Sequence, residues 1–413
     1  MNDAQFGELA AWIADAGLAG EGEPELVSGF CTRAVALGLP LTRGWVLIDT
    51  LHPLHEGHAF GWQADGRTTL REYGSSREGE AQERWVRSPF YRLVETGAPL
   101  LRRRVDDESR AEFPSIAELA PDAADYVAMV HRFKAQGIIG EMDSVYSSWA
   151  TDRAEGFAEG DIADLKRLVP HLALAVKSAA LTGIARTLVE TYLGRDPGRR
   201  VLAGGIMRGV ADRIESVLWF SDLRDYTRIA DTSPPEQVIP LLNDYADAII
   251  SAIHAHGGDV LKLIGDGTLA IFTAEDREQA CCAALAAATQ AQVSLADVNH
   301  RRNAAGLPTT DMYLALHLGA VFYGNIGSKE RLDFTVVGPA VNEVSRIAAL
   351  CRSLEQPALL SPTLAAAAGK AKERLVSVGR YALRGVSYAQ ELFTLDPTWH
   401  ESGHESGHES RHE

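Results

Sequence analysis

Two aspartates that each close an apolar run constrain this chain more than any other feature in it. Asp222 ends Ser216-Val-Leu-Trp-Phe-Ser-Asp222, and Asp266 sits within Val260-Leu-Lys-Leu-Ile-Gly-Asp-Gly-Thr-Leu-Ala-Ile-Phe272. Short apolar runs bounded by turn residues read as buried strands. A carboxylate at the mouth of such a strand is costly unless something binds it. Two that converge make an oxygen-lined site for a hard cation. Downstream, Asn342 and Arg346 stand at i and i+4 in Val341-Asn-Glu-Val-Ser-Arg-Ile347, which places an amide and a guanidinium on one helix face. Two acids and a planar cation with a polar neighbour are the minimum kit for phosphoryl-type displacement.

The 413 residues give room for two to three domains. An apolar fraction of 46% and a charged fraction of 23% allow ordinary globular cores. The formal net charge of −16 argues against a general nucleic-acid partner, which needs clustered Lys and Arg. It leaves a nucleotide ligand open, because a metal and a few local cations can carry that binding. Cys31, Cys281, Cys282 and Cys351 show no metal-ligand spacing, and the Cys281-Cys282 pair lies in an Ala-rich helical stretch. Reduced thiols fit a cytoplasmic location. The start, Met1-Asn-Asp-Ala-Gln-Phe6, lacks a basic region leading into an apolar core, so no signal peptide is expected. No membrane span is expected either. The closest stretch, Leu168 to Val189, contains His171, Lys177 and Arg186 and reads as an amphipathic helix.

Along the chain, Phe6, Leu9, Ala10 and Ile13 give an N-terminal helix. A helix over Cys31–Leu39 is followed by strand signals at Gly44-Trp-Val-Leu-Ile-Asp49 and Ala59-Phe-Gly-Trp62 and by a helix-rich middle. Gly137-Ile-Ile-Gly140 and a strand over Asp143–Ala150 follow. That order is similar to small sensor domains of the GAF or PAS type. Asp161 is expected to cap a long exit helix. Its stripe of Leu165, Leu168, Leu172, Ala175 and Ala179 suits either a two-stranded coiled coil or packing on its own domain, and Pro170 disfavours the coiled coil over the first turns. The Gly- and Pro-containing segment Tyr192–Gly209 interrupts any continuous helix and reads as a passive linker or a transmitting hinge. Alternating strands and helices from Ile214 to Asp396 predict an α+β sheet with helices on one face. The expected divisions are 1–160, 161–209, 210–396 and a disordered His/Glu/Ser/Gly tail at 397–413. In that tail His400, His404, His408 and His412 recur, so metal capture is conceivable beside a solvated coil.

Four blocks in order resemble the catalytic domain of class III nucleotidyl cyclases, the adenylate/guanylate cyclase family. They are Phe220-Ser-Asp-Leu-Arg-Asp-Tyr-Thr227, Leu261-Lys-Leu-Ile-Gly-Asp-Gly267, His317-Leu-Gly-Ala-Val-Phe-Tyr-Gly-Asn-Ile-Gly327 and Asp333-Phe-Thr-Val-Val-Gly-Pro-Ala-Val-Asn-Glu-Val-Ser-Arg346. The resemblance spans a little under half the chain. It implies a ferredoxin-like α+β catalytic domain, preceded by a GAF/PAS-like α+β sensor domain and a helical connector. It also implies that Asp222 and Asp266, with the backbone carbonyl of Leu223, hold two Mg²⁺ or Mn²⁺ ions. Main-chain N–H groups from Leu223 to Tyr226 would face the phosphates.

By the same resemblance Lys262 and Thr335 read the base. This favours ATP over GTP, since guanylate cyclases place Glu and a small residue there. Asn342 would position the ribose, Arg346 would stabilise charge on the α-phosphate, and Arg384 stands near a family phosphate-binding Lys. Two departures stand out: Asp225 where Gly is frequent, and Pro339 where Asp or Asn is common. Gly257-Gly-Asp259 echoes the diguanylate cyclase signature but lacks the Glu-Phe that follows it.

The implied function is a soluble adenylate cyclase making 3′,5′-cyclic AMP and pyrophosphate. It would act as a homodimer, with the aspartates and Lys262 from one protomer and Asn342 and Arg346 from the other. The stretch Tyr323–Asp333 resembles the dimer arm. The rivals are a catalytically silent nucleotide sensor, or a cyclase using GTP or a pyrimidine nucleotide. The N-terminal domain would take an unknown small-molecule regulator. Its clustered His52, His55 and His58 read as metal or haem ligands or as polar surface residues, and Trp45, Phe60, Trp62 and Trp149 as a pocket lining or a core.

Overall fold

The computed structural model describes residues 1–74, 78–133, 142–384, 386 and 388–396. The Gly137–Gly140 run and the histidine tail lie outside the described residues. The chain divides into two compact units, Met1–Leu188 and Val189–Glu413. The stretch 161–209 is thus shared between them.

The first unit is built on a six-stranded antiparallel sheet: β1 (Arg43–Asp49), β2 (Gly57–Gln63), β3 (Thr68–Tyr73), β4 (Leu100–Arg104), β5 (Asp125–Arg132) and β6 (Ser144–Thr151), in the order β3-β2-β1-β6-β5-β4. Alternation along β6 sends Val145 and Trp149 to one core and Tyr146 and Ala150 to the other. The first core is closed by the helices Asp3–Ala19, Glu23–Ala36 and Glu159–Leu193, through Leu9, Phe30, Leu165, Leu168 and Leu172. The exit-helix stripe therefore packs on its own unit. Asp161 lies in the first turn of that helix and accepts from Ala158 N–H at 2.9 Å. Phe60, Trp62 and Trp149 belong to this core, while Trp45 lines a cavity on the other side of the sheet.

The middle read as helix-rich holds four short helices and also β3, β4 and β5. Strand β4 is too charged to show a strand pattern. It is held because Arg102 donates to the fully buried Asp125 of β5 at 2.7 and 3.0 Å, an arrangement visible only once the strands pair.

The second unit carries an eight-stranded sheet: β7 (Ala211–Leu223), β8 (Asp259–Ile264), β9 (Gly267–Phe272), β10 (Met312–Gly327), β11 (Leu332–Val337), β12 (Ala358–Leu360), β13 (Leu375–Tyr381) and β14 (Gln390–Leu395). The order is β13-β14-β12-β10-β7-β9-β8, with β11 folded back on β10. Among the described residues of this unit, β10 and β12 are the pair that runs parallel. Helices cover both faces, not one. Pro235–Ala255 and Arg277–Ala304 meet Val217, Trp219 and Leu314. Pro339–Ser353 meets Leu218, Leu269 and Ala315 on the opposite side. Apolar residues at successive positions Val217, Leu218 and Trp219, all fully buried, are what a strand covered twice requires.

The Gly-rich junction is ordered by the second unit. A helix over Arg195–Leu202 is tied to β10, because Tyr323 Oη donates to Asp196 at 2.8 Å and Arg200 Nε donates to the same carboxylate at 2.7 Å. Asn325 Nδ2 donates to Gly205 carbonyl at 2.6 Å. Among the described residues two helices, Glu159–Leu193 and Arg277–Ala304, are long and apolar enough to cross a membrane. Each buries side chains in a core already described, Leu168 and Val176 in one and Ala284 and Leu285 in the other.

Candidate active site

The apolar run that ends at Asp222 is the buried centre of β7, so the carboxylate emerges where the strand leaves the core. Asp266 occupies the turn between β8 and β9. Gly265 takes φ +64 there, and a Cβ on Gly267 would press on the Ser221 carbonyl at 3.0 Å. The Gly-Asp-Gly triplet thus serves a tight hairpin laid against β7. Leu223 N–H donates to Asp266 Oδ2 at 3.1 Å, which brings the two carboxylates together. Loss of hydration, and then the hydrogen bond and charge of Asp266, push Asp222 up to about 6. Among the described residues neither carboxylate forms an ion pair. A crowded pair of oxygen donors without a counter-ion suits a hard divalent cation such as Mg²⁺ or Mn²⁺.

The turn after Asp222 corrects one expectation. Of the four N–H groups from Leu223 to Tyr226, two are engaged: Leu223 with Asp266, and Arg224 with the Asp311 carbonyl at 2.8 Å. Among the described residues the N–H groups of Asp225 and Tyr226 have no such partner and remain for a phosphate. Asp225 itself adopts φ 52, ψ 25, the left-handed region where glycine is easiest and where Asp is among the better-tolerated substitutes. Its side chain accepts from Arg352 at 3.3 Å, so the acid absent from the family pattern is partly neutralised. Pro339 is likewise accommodated, as the first residue of the helix after Gly338.

Lys262 lies on β8 and forms an ion pair with Asp333 of β11. Asp333 and Thr335 are two apart on that strand, so their side chains leave one face. The structure therefore gathers Lys262, Asp333 and the buried Thr335 on one chain. Asp333 was missed as a site residue. The signal available was its position two residues before Thr335, readable only with the β8–β11 approach in hand.

Asn342 and Arg346 sit on the helix Pro339–Ser353, held by buried Val344, Ile347 and Cys351. Asn342 is exposed and Arg346 half-buried. Among the described residues neither side chain hydrogen-bonds or ion-pairs with Asp222, Asp266 or Lys262. Arg384 is exposed beside buried Leu383, and Gly385 next to it lies outside the described residues. Within one chain the structure thus unites the aspartates in one group and Lys262 with Thr335 in another, and leaves the amide and the two arginines without those partners.

Residues 210–396 match the family described as the adenylate and guanylate cyclase catalytic domain. This part of the chain is a class III nucleotidyl cyclase catalytic domain. It is similar to Adenylate cyclase 1 of Rhizobium meliloti (strain 1021), at 28% identity over 256 residues, 57% of this chain and 38% of that protein. It is also similar to the adenylate cyclase of Anabaena cylindrica, at 35% identity over 148 residues, 35% of this chain and 29% of that protein. The chain spans well under half the length of these relatives. Among solved structures, that of the guanylyl cyclase Cya2 is similar at 29% identity and a TM-score of 0.40, over 45% of this chain and 93% of that one.

Proposed function

We propose that this chain is an adenylate cyclase that converts ATP to 3′,5′-cyclic AMP and pyrophosphate. The observation that carries the proposal is the convergence of Asp222 and Asp266, without an ion-pair partner among the described residues, at the edge of a cyclase-family domain. Asp222, Asp266 and the Leu223 carbonyl would hold two Mg²⁺ or Mn²⁺ ions, whose chemistry is Lewis-acid activation of the ribose 3′-hydroxyl and neutralisation of the triphosphate.

The chain's own groups do the rest. Lys262 Nζ is a donor only, matching adenine N1, whereas guanine presents an N–H there. Thr335 Oγ1 accepts from the exocyclic amine. Asn342 orients the ribose so that its 3′-oxygen lies in line with the α-phosphate. The Arg346 guanidinium takes up the charge that develops as pyrophosphate leaves, and Arg384 binds phosphate oxygens. Since Asn342 and Arg346 stand apart from the aspartates in one chain, the complete site is shared in a homodimer: Asp222 and Asp266 of one protomer face Asn342 and Arg346 of the partner subunit.

The first unit is read as a GAF-like sensor for a small-molecule regulator. Its antiparallel sheet, with long helices on one face and short helices and a cavity on the other, supports that reading.

The test is product formation by the purified chain with ATP, GTP, CTP and UTP, first with Mn²⁺ and then with Mg²⁺, beside Asp222→Ala. Cyclic AMP that disappears in the variant is the expected result. Silence with all four nucleotides and both metals, while ATP–metal binding persists, would replace the enzyme by a nucleotide sensor.

A further inference from the structure

In the first unit, three histidines and a glutamate that cyclase chemistry leaves unused stand together. His58 is the second residue of β2 and the register partner of Glu72 on β3. Directly opposed residues of an antiparallel pair project from the same face, with Cβ atoms about 5 Å apart. His55 reaches in from the loop between β1 and β2. Its Nε2 lies 3.2 Å from His58 Nε2, and its Nδ1 lies 3.7 Å from a Glu72 oxygen. His52 stacks on His55 with ring centroids 3.7 Å apart, and its own Nδ1 accepts from Leu54 N–H at 3.2 Å. The loop thus holds its imidazoles in place before any ligand arrives.

The donor set and its spacing specify a kind of ion. One donor atom from each of His55, His58 and Glu72 lies within 4.8 Å of the other two. Imidazole nitrogens favour zinc, nickel, cobalt and copper, whereas Mg²⁺ and Ca²⁺ favour oxygen. Metal–nitrogen bonds of about 2.0–2.1 Å in tetrahedral geometry put two ligating nitrogens about 3.3 Å apart. The observed 3.2 Å separation is within a tenth or so of that spacing. Two imidazoles and one carboxylate leave a fourth position for water or another ligand. His55 and Glu72 also line, with Trp45, Tyr73 and Trp85, a cavity of about 1880 Å³.

We propose that His55, His58 and Glu72 form a binding site for a divalent transition-metal ion of the zinc type, set in the wall of the first unit's cavity. The site is chemically distinct from the carboxylate pair of the second unit, because nitrogen donors select against the hard ions that the aspartates suit. It does not depend on the nucleotide reading.

The test uses the 413-residue chain with His400, His404, His408 and His412 all replaced by Asn, so that the tail does not compete. Zn²⁺ is titrated by calorimetry, and Co²⁺ uptake is followed by its visible absorption. One equivalent of Zn²⁺ per chain and the intense bands of tetrahedral Co²⁺ are expected. His55→Asn and His58→Asn should each weaken binding at least 10-fold (about the lower bound for a perturbed ligand set) and abolish the bands. Should either histidine variant fail to fold, Glu72→Gln decides, since that side chain is 60% exposed and bears no core packing. It is expected to weaken binding while leaving metal-free thermal unfolding unchanged. No Zn²⁺ uptake by the parent, or equal uptake by parent and folded variants, would overturn the site and leave a Glu72–His55–His58 hydrogen-bonded chain.

Discussion

Lys262 shows how much a single side chain can decide. It is flanked by apolar residues, which in sequence marks it as either a solvated strand charge or a base reader. The structure gives it an acidic partner, Asp333, on the strand that carries Thr335. A charged hydrogen bond from Lys262 to the base, as proposed, would contribute about 1.5–3 kcal/mol, so Lys262→Ala is expected to lower kcat/KM for ATP by about 10- to 100-fold. The ATP/GTP preference should shrink with it. A preference that survived the substitution would remove Lys262 from base selection. Arg346 belongs to a different step. Arg346→Ala should lower kcat by about 10³-fold and leave the affinity for a non-cyclising ATP analogue within a few-fold. An equal loss of analogue affinity would make it a ground-state ligand instead. At this scale the placement of Asp222 and Asp266 at strand ends, and of Asn342 and Arg346 on one helix, was legible, because each sits in a patterned run. Asp333 and the occupied amides of Leu223 and Arg224 were not, because their partners lie far away along the chain.

Helices and strands were legible where their periodicity is strong. The strand Arg43–Asp49, the strand that ends around Asp222 and the strands on either side of Asp266 all lie close to where apolar spacing and turn residues put them. Strand β4 escaped because three arginines in five residues hid it, and β5 because a single buried apolar run does not by its periodicity tell strand from helix. The second helical layer of the catalytic sheet escaped because the pattern of one strand does not say which elements cover its two faces.

The contact between β10 and the helix Pro339–Ser353 offers a test of packing at this level. His317 of β10 is buried and faces Glu343 of the helix at 3.7 Å, and its Nδ1 makes no hydrogen bond among the described residues. Burial pulls its pKa below 6.5, against the opposing pull of Glu343. The unfolded chain therefore takes up the proton first as the pH falls. The stability contributed by the neutral imidazole is complete above about pH 6.5 and is lost as pH drops toward the lowered folded value. Urea unfolding of the catalytic unit should show stability falling as the pH drops below about 6.5, and His317→Gln should flatten that slope. An unchanged slope would mean that His317 does not titrate differently on folding.

For the whole molecule, the separation of catalytic groups within one chain makes a prediction that no single-chain enzyme shares. Asp222→Ala and Arg346→Ala should each be inactive alone. Mixed in equal amounts and allowed to exchange subunits, they should recover about one quarter of wild-type activity, since half the dimers then carry one intact site. Specific activity of the wild type should also fall on dilution. No recovery on mixing, with exchange verified, would mean that one chain builds its own site. Domain division was harder to read than domain content. The helix Glu159–Leu193 continues past the point where the first unit ends at Leu188, so no turn residue marks the boundary.

Strand β10 has a consequence for how ligand binding can be watched. It is 16 residues long and pairs with β7 from Met312 to Gly324. Its other edge is paired with β12 at Leu314–Leu316 and with β11 from Phe322 onward. Amides locked from both sides open only with the sheet as a whole. In a deuterium-labelling experiment this strand is the slow clock of the catalytic unit, silent on the timescale over which nucleotides come and go. The informative reporters are the backbone amides of Asp225 and Tyr226. ATP with Mg²⁺ should slow their exchange while β10 keeps the same time.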